Sequence, residues 1–117
     1  MRRSFYCILL PLLLHPVWSG AQSTSSYIFS HLDTHDGLLS EDITDVCQDR
    51  KGFMWIASVS GLQRYDGRRY ISFRHNDHNP RSISDDFITH IQQGRDDKLW
   101  ILFMGNKVGY INQNDLS

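Results

Sequence analysis

Residues 43–73 carry four short runs rich in apolar and β-branched residues, each closed by a turn signal. The first run, 43–48, is broken by Asp49-Arg50-Lys51-Gly52. The second, 53–58, is broken by Val59-Ser60-Gly61. The third, 62–65, ends at Asp66-Gly67, and the fourth is 69–73. Runs this short predict strands, not helices of useful length. Asp66-Gly67 predicts a hairpin, because glycine accepts the positive φ of a type I′ turn. In 53–58, alternation places Phe53, Trp55 and Ala57 on one face and Met54, Ile56 and Ser58 on the other. Both faces are largely apolar, as expected of a sheet covered on both sides. A four-stranded antiparallel meander of this size is the unit of a β-propeller.

The pattern then recurs. QDRKGFMWI, residues 48–56, returns as QGRDDKLWI, residues 93–101, with Gln, Arg, Trp and Ile 45 residues apart. Phe29, His31, Asp33 and Ser40 match Phe73, His75, Asp77 and Ser84 at an offset of 44. Leu62 and Tyr65 match Val108 and Ile111 at an offset of 46. Such a period lies in the propeller range. The expected fold is therefore all-β, about one and a half four-stranded blades. Blade one covers about 42–73. Blade two covers about 86–112 and lacks a fourth strand. Residues 27–32 align with the fourth strand of the repeat and are expected to form an outer closing strand, which removes an open edge. Trp55 and Trp100 are the expected anchors between adjacent blades, with Gly52, Gly61 and Gly67 as structural turn residues.

Residues 1–21 read as a secretory signal peptide. Arg2 and Arg3 precede a short apolar run, and Ser19-Gly20-Ala21 supplies small residues for cleavage between Ala21 and Gln22. The apolar run falls short of the ~20 residues that span a bilayer. Residues 22–26 form a polar spacer. With Cys7 in the leader, Cys47 stands alone and no internal disulfide is expected. It reads as a small buried apolar residue. The 117 residues carry a net charge of −1, which gives no electrostatic case for nucleic acid in this segment or for an anionic membrane surface.

Candidate chemistry is sparse. His31, His35, His75 and His78 share two loops with Asp33, Asp36 and Asp77, but a metal site needs three or four converging ligands. Recurrence of the repeat accounts for these pairs, and solvated loop roles are the better reading. Asp42, Asp45 and Asp49 read as turn and strand-edge residues. Asp66-Gly67 lacks calcium-loop spacing. Arg64, Arg68 and Arg69 with Tyr65 and Tyr70 could stack on a sugar or a base; solubilising edge charge is the alternative. No phosphate loop, nucleophile elbow or acid/base pair is present. No catalytic residue, cofactor or metal site is assigned, and no ligand-binding residue is named.

The segment HDGLLSEDITDVCQDRKGFMWIASVSGLQRYDG resembles the two-component regulator propeller repeat. The matching elements are Asp36-Gly37-Leu38, Gln48-Asp49 with Gly52, Met54-Trp55-Ile56, Gly61-Leu62 and Arg64-Tyr65-Asp66-Gly67. With its leader, the chain is similar to the N-terminus of hybrid two-component sensors of Bacteroides-type bacteria. The resemblance implies a non-catalytic part of a periplasmic sensor whose propellers respond to glycan fragments. A membrane crossing, a histidine kinase, a receiver and often a DNA-binding module would follow, acting on polysaccharide-utilisation genes. Its implied partners are the rest of the sensor in cis, an oligosaccharide ligand and a second subunit, with membrane contact only through a downstream segment. An exported propeller enzyme, such as a polysaccharide lyase or glycosidase, and a protein-interaction propeller are the alternatives. The second repeat departs from the pattern at Asp97, Leu102 and Phe103 and holds one extra residue in Gly105-Asn106-Lys107. One and a half blades cannot close a ring of four to eight, so a fragment or truncated product is expected.

Overall fold

A computed structural model describes residues 31–116. The leader, its cleavage point between Ala21 and Gln22, the spacer 22–26 and positions 27–30 of the expected closing strand lie outside the described residues. His31 and Leu32 carry no regular structure.

Among the described residues, seven strands form two antiparallel sheets. β1 (Ile43–Gln48), β2 (Met54–Ser58), β3 (Gly61–Tyr65) and β4 (Tyr70–Phe73) make a four-stranded meander in sequence order. β5 (Ile88–Gln93), β6 (Lys98–Phe103) and β7 (Lys107–Asn112) make a three-stranded one. No α-helix occurs among the described residues. A 3-10 turn at Thr34–Asp36 precedes the first sheet, and another at Gln113–Leu116 follows the second.

The register explains the repeat. Trp55 pairs with Cys47 and Arg64, and Trp100 pairs with Gln92 and Tyr110. Leu62 pairs with Ala57, as Val108 pairs with Leu102. Tyr65 pairs with Met54, as Ile111 pairs with Leu99. The offset of 46 is thus a register fact. The added residue lies in the β6–β7 loop, where Phe103 pairs with Lys107 across three residues; Ser58 pairs with Gly61 across two. Gly105 and Asn106 both take positive φ there, 80° and 62°.

One turn expectation changes. In the β3–β4 hairpin only Gly67 (φ 98°) is left-handed, and Arg68 is not. Type I′ needs positive φ at both central positions, so the turn is not type I′. Asp66 Oδ1 accepts the Arg68 and Arg69 amides at 2.8 Å each, which holds the backbone there. At the β5–β6 turn, Gly52 is replaced by Asp97, whose carbonyl accepts the Gln113 amide at 2.7 Å. That turn therefore fastens the segment after β7.

The sheets pack face to face. Trp55, Ala57 and Leu62 from the first sheet meet Ile88, Ile91, Leu99, Ile101 and Phe103 from the second in one buried cluster. Ile83, in the connection between them, joins the cluster. Each side chain points to one face by simple alternation, so Trp100 and Leu102 point away from the first sheet. Trp55 is fully buried, and Trp100 is 41% exposed. Trp55 lies in the cluster between the two sheets. Trp100 instead rests on Tyr110, ring centroids 5.3 Å apart. The two tryptophans occupy one repeat position on sheets that face the same way, so only the first looks onto a neighbouring sheet among the described residues.

Two glycines separate steric from conformational demand. A Cβ at Gly61 (φ 136°) would lie 2.8 Å from the Phe73 carbonyl oxygen and 3.0 Å from Leu39, whereas one at Gly67 would meet nothing within 4 Å. Gly67→Ala is expected to cost about 1 kcal/mol, the left-handed penalty alone. Gly61→Ala is expected to cost at least about 2 kcal/mol, since strain and a backbone clash add. Urea midpoints of the two variants check the order.

Candidate functional site

The chemistry of the chain is concentrated where its two sheets meet and where a loop joins them. Asp49 directly follows β1, and its side chain is buried beneath the β1–β2 turn. Its Oδ1 accepts the Lys51 amide at 2.9 Å and the Phe53 amide at 3.0 Å. Its Oδ2 accepts the Trp55 indole N–H at 2.9 Å. One carboxylate therefore shapes the hairpin and fixes the ring that fills the inter-sheet core. The Arg64 guanidinium lies 4.6 Å from the Phe53 ring centre and 5.9 Å from that of Trp55, covering the same edge. Asp49 is not a simple turn residue. The signal was its place six residues before Trp55, which brings the two side chains together across a tight hairpin.

Asp45 is not confined to its strand edge either. Both inner strands, β1 and β5, carry a bulge at equivalent places, between Ile43 and Asp45 and between Ile88 and His90. A bulge re-aims side chains and frees backbone groups. Thr44 Oγ1 donates to the Ile88 carbonyl at 2.7 Å. Asp45 Oδ2 accepts the Ile91 amide at 2.9 Å and faces His90 Nδ1 at 2.6 Å. These contacts clip the two sheets together in register. Asp42 stays exposed, so the three aspartates do not converge.

The histidine–aspartate loops serve separate ends. Asp33 caps the 3-10 turn, accepting the His35 and Asp36 amides at 2.8 and 3.2 Å. Asp36 returns a bond to the Asp33 amide at 3.4 Å. In the second loop, His75 Nδ1 lies 2.7 Å from the Ile83 carbonyl and Nε2 lies 2.7 Å from Asp77 Oδ1. Both partners are acceptors, so only the imidazolium can donate to both. The Ile83 carbonyl first, and Asp77 second, raise the His75 pKa above its ordinary value. His78 donates only its amide, to Asn76. Among the described residues, no group of three or more His, Cys, Asp or Glu is placed to hold a metal ion.

Strand alternation splits the arginine–tyrosine group. Arg64 lies on the Trp55 face, whereas Tyr65 and Tyr70 stack on the opposite face, 4.6 Å between centroids. Those tyrosines, with His31, Asp36 and Arg68, line an open cleft of about 270 Å³. Arg69 is not part of it. A second, shallower groove of about 200 Å³ runs over His90, Gln92, Trp100, Leu102 and Val108 on the far face of the second sheet. Cys47 is half-buried and packs against the core. Sequence reasoning missed Gln63, a buried polar residue in mid-strand. It accepts the Leu39 amide at 2.7 Å and donates to the Gly37 carbonyl at 2.9 Å and the Ser72 hydroxyl at 3.1 Å. It ties the turn before β1 onto the first sheet. The signal was a glutamine flanked by residues that pack.

Sheets of this form, stacked face to face and repeating every 45 residues or so, define a stretch of β-propeller. Residues 37–60, which run from the entry turn through the β1–β2 hairpin, match the family model of the two component regulator propeller. Residues 37–60 are thus similar to that repeat. Over 60 residues it is 32% identical to histidine kinase P4 of Formosa agariphila, an alignment covering 51% of this chain and 4% of that protein. Its fold is similar to the extracellular domain of a hybrid two-component system from B. thetaiotaomicron. That match has a TM-score of 0.68 and 23% identity, and covers 75% of this chain and 12% of that one. The chain thus spans a small part of the length of either protein.

Two outcomes test the site. Asp49→Ala leaves the Trp55 N–H and two amides without their acceptor and is expected to cost about 2–4 kcal/mol, read from the urea midpoint. Asp49→Asn, which keeps an acceptor oxygen, is expected to recover part of that loss. For His75 the folded pKa lies above the unfolded value of about 6.5. Its contribution is therefore complete below about pH 6.5 and fades as pH rises through the folded pKa. Between about pH 6 and pH 8 the wild-type midpoint is expected to fall further than that of His75→Gln.

Proposed function

We propose that this segment is part of the periplasmic propeller region of a hybrid two-component sensor, exported by the leader at residues 1–21. In this reading the blades are a non-catalytic frame. They hold an oligosaccharide-sensing surface, and ligand shifts the sensor between two states. The output passes through a histidine kinase and a receiver to a DNA-binding module that governs polysaccharide-utilisation genes. Binding partners are the rest of the sensor in cis, a glycan fragment and a second subunit.

The observation that carries the reading is the match of residues 37–60 to the two component regulator propeller. Those residues include Asp45 and Asp49, the two carboxylates that build the blade and join it to the next. Support also comes from the names of the similar proteins, a histidine kinase and the extracellular domain of a hybrid two-component system. Among the described residues, no helix is long and apolar enough to cross a membrane, so a crossing would fall elsewhere in the protein.

The experiment uses the intact protein that contains this segment, in membranes with radiolabelled ATP. Oligosaccharides from a panel of polysaccharides are added and autophosphorylation is followed. The expected result is a several-fold change with one oligosaccharide class and no cleavage of any polysaccharide. Depolymerisation without phosphorylation would replace the sensor reading with that of an exported enzyme.

A further inference from the structure

We propose that the connection from Arg74 to Phe87 is a pH-operated latch between the two sheets. It is closed when the His75 ring is charged. When the ring is neutral it opens locally, with the sheets still folded. This inference rests on the geometry of the connection and does not depend on the sensor reading.

The connection runs from the end of β4 to the start of β5. Its ties are of two kinds. Residues 76–82 are closed by uncharged groups. The Asn79 amide donates to the Asn76 carbonyl at 2.9 Å, and the Ser82 amide to the Asn79 carbonyl at 3.0 Å. The Ser82 hydroxyl accepts the Asn76 amide at 2.9 Å and donates to the Asn76 carbonyl at 3.0 Å. None of these groups titrates near neutral pH. At the base of the connection the His75 ring is the hub. Nδ1 reaches the Ile83 carbonyl and Nε2 reaches Asp77, 2.7 Å each. Ile83 is 8% exposed, and its side chain belongs to the apolar cluster between the sheets. The ring therefore holds the backbone of the residue that plugs the seam.

The proton count decides what the ring can hold. An imidazolium donates from both nitrogens, whereas a neutral ring has one donor and one bare lone pair. Facing two acceptors, the neutral ring must give one up. Asp77 is the arm that leaves, because its side chain is 88% exposed and swings into water. The Ile83 arm stays but loses its charge assistance, about half of its strength. The charged groups that face the ring are Asp77 and Asp86. Asp86 also pairs with Arg74 at 3.6 Å and accepts the His75 amide at 2.7 Å, and neither contact needs the ring proton. The ring is 39% exposed, so it exchanges its proton with water while the sheets stay packed. Its pKa lies above the ordinary value, so the latch is complete below about pH 6.5 and slackens as pH rises through the folded value.

Hydrogen–deuterium exchange of the intact protein that contains this segment tests this, with rates corrected for the base catalysis of exchange itself. Peptides covering 74–87 are compared with peptides from β2 and β6. Between about pH 6 and pH 8 the corrected exchange of 74–87 is expected to rise several-fold, and to run ahead of β2 and β6 at the higher pH. His75→Gln, whose amide donates alike at both pH values, is expected to abolish the rise. Asp77→Asn takes the negative charge from beside the ring and is expected to move the midpoint of the rise to lower pH. A merely structural role for His75 would not produce that shift. Circular dichroism checks that both variants stay folded. Exchange of 74–87 that does not change with pH overturns the proposal. So does a connection that exchanges only as fast as β2 and β6 throughout, which would mean that it opens only when the sheets unfold. A rise that survives His75→Gln, or a midpoint unmoved by Asp77→Asn, overturns it as well.

Discussion

The buried Trp55 indole is the constraint on which the rest of the structure depends. A tryptophan buries about 150–250 Å² of surface, and here that surface is the centre of the contact between two thin sheets. Neither sheet has a core of its own. A three- or four-stranded meander is one layer thick, and a layer becomes stable only when its apolar face is covered. The ring must also be held in one pose, because a polar N–H inside an apolar seam needs an acceptor. Asp49 supplies that acceptor from the strand beside it and uses its other oxygen to bend the hairpin. Hairpin geometry and inter-sheet packing are set by one side chain.

A second layer of control acts on register. Apolar faces slide over one another at little cost, whereas hydrogen bonds do not. The bulges in β1 and β5 turn otherwise regular strands into donors and acceptors for each other, through Thr44 to the Ile88 carbonyl and the Ile91 amide to Asp45. Arg50 adds a longer contact, 3.4 Å, to the Gly94 carbonyl at the turn end of the same strands. The outer connection is tied by Arg74 and Asp86, whose carboxylate also accepts the His75 amide. The stack is thus pinned along its inner strand and at its loop, with the tryptophan between the pins.

Much of this was legible in the sequence because strands and turns are local. Five of the eight bounds of the first four strands fall where alternation and turn residues put them, and Phe53, Arg69 and Gly61 account for the one-residue differences. The repeat was legible because its offsets are pairing offsets. What sequence reasoning did not reach was contact between elements. Nothing local distinguishes Asp45 from an ordinary turn acid, since its role needs the next sheet; that of Asp49 shows only once its spacing from Trp55 is set on the folded hairpin. Nor could local pattern tell that Trp55 and Trp100, equal in register, would differ so much in exposure. The type of the Asp66-Gly67 turn was misread for a related reason. Its outcome depended on where the Asp66 carboxylate placed its two hydrogen bonds.

The degeneracy of the second repeat follows from what each sheet has to cover. The outer face of the first sheet carries Ser58 and Gln63, and Gln63 holds the entry turn there. At the same register positions the second sheet has Phe103 and Gly109, and a Cβ on Gly109 would lie 3.1 Å from the Phe103 ring. The phenylalanine takes the space a side chain would have filled, and that face docks on the first sheet instead of on a turn. Likewise Gly94 replaces Asp49, with the Trp100 indole nitrogen 3.0 Å from where its Cβ would stand. Without the carboxylate, the ring leans over the turn and onto Tyr110. Two of the departures, Phe103 with Gly109 and Gly94 under Trp100, thus each set a large residue beside a glycine. Sheets built this way can vary the groups on their faces without losing the contact between them.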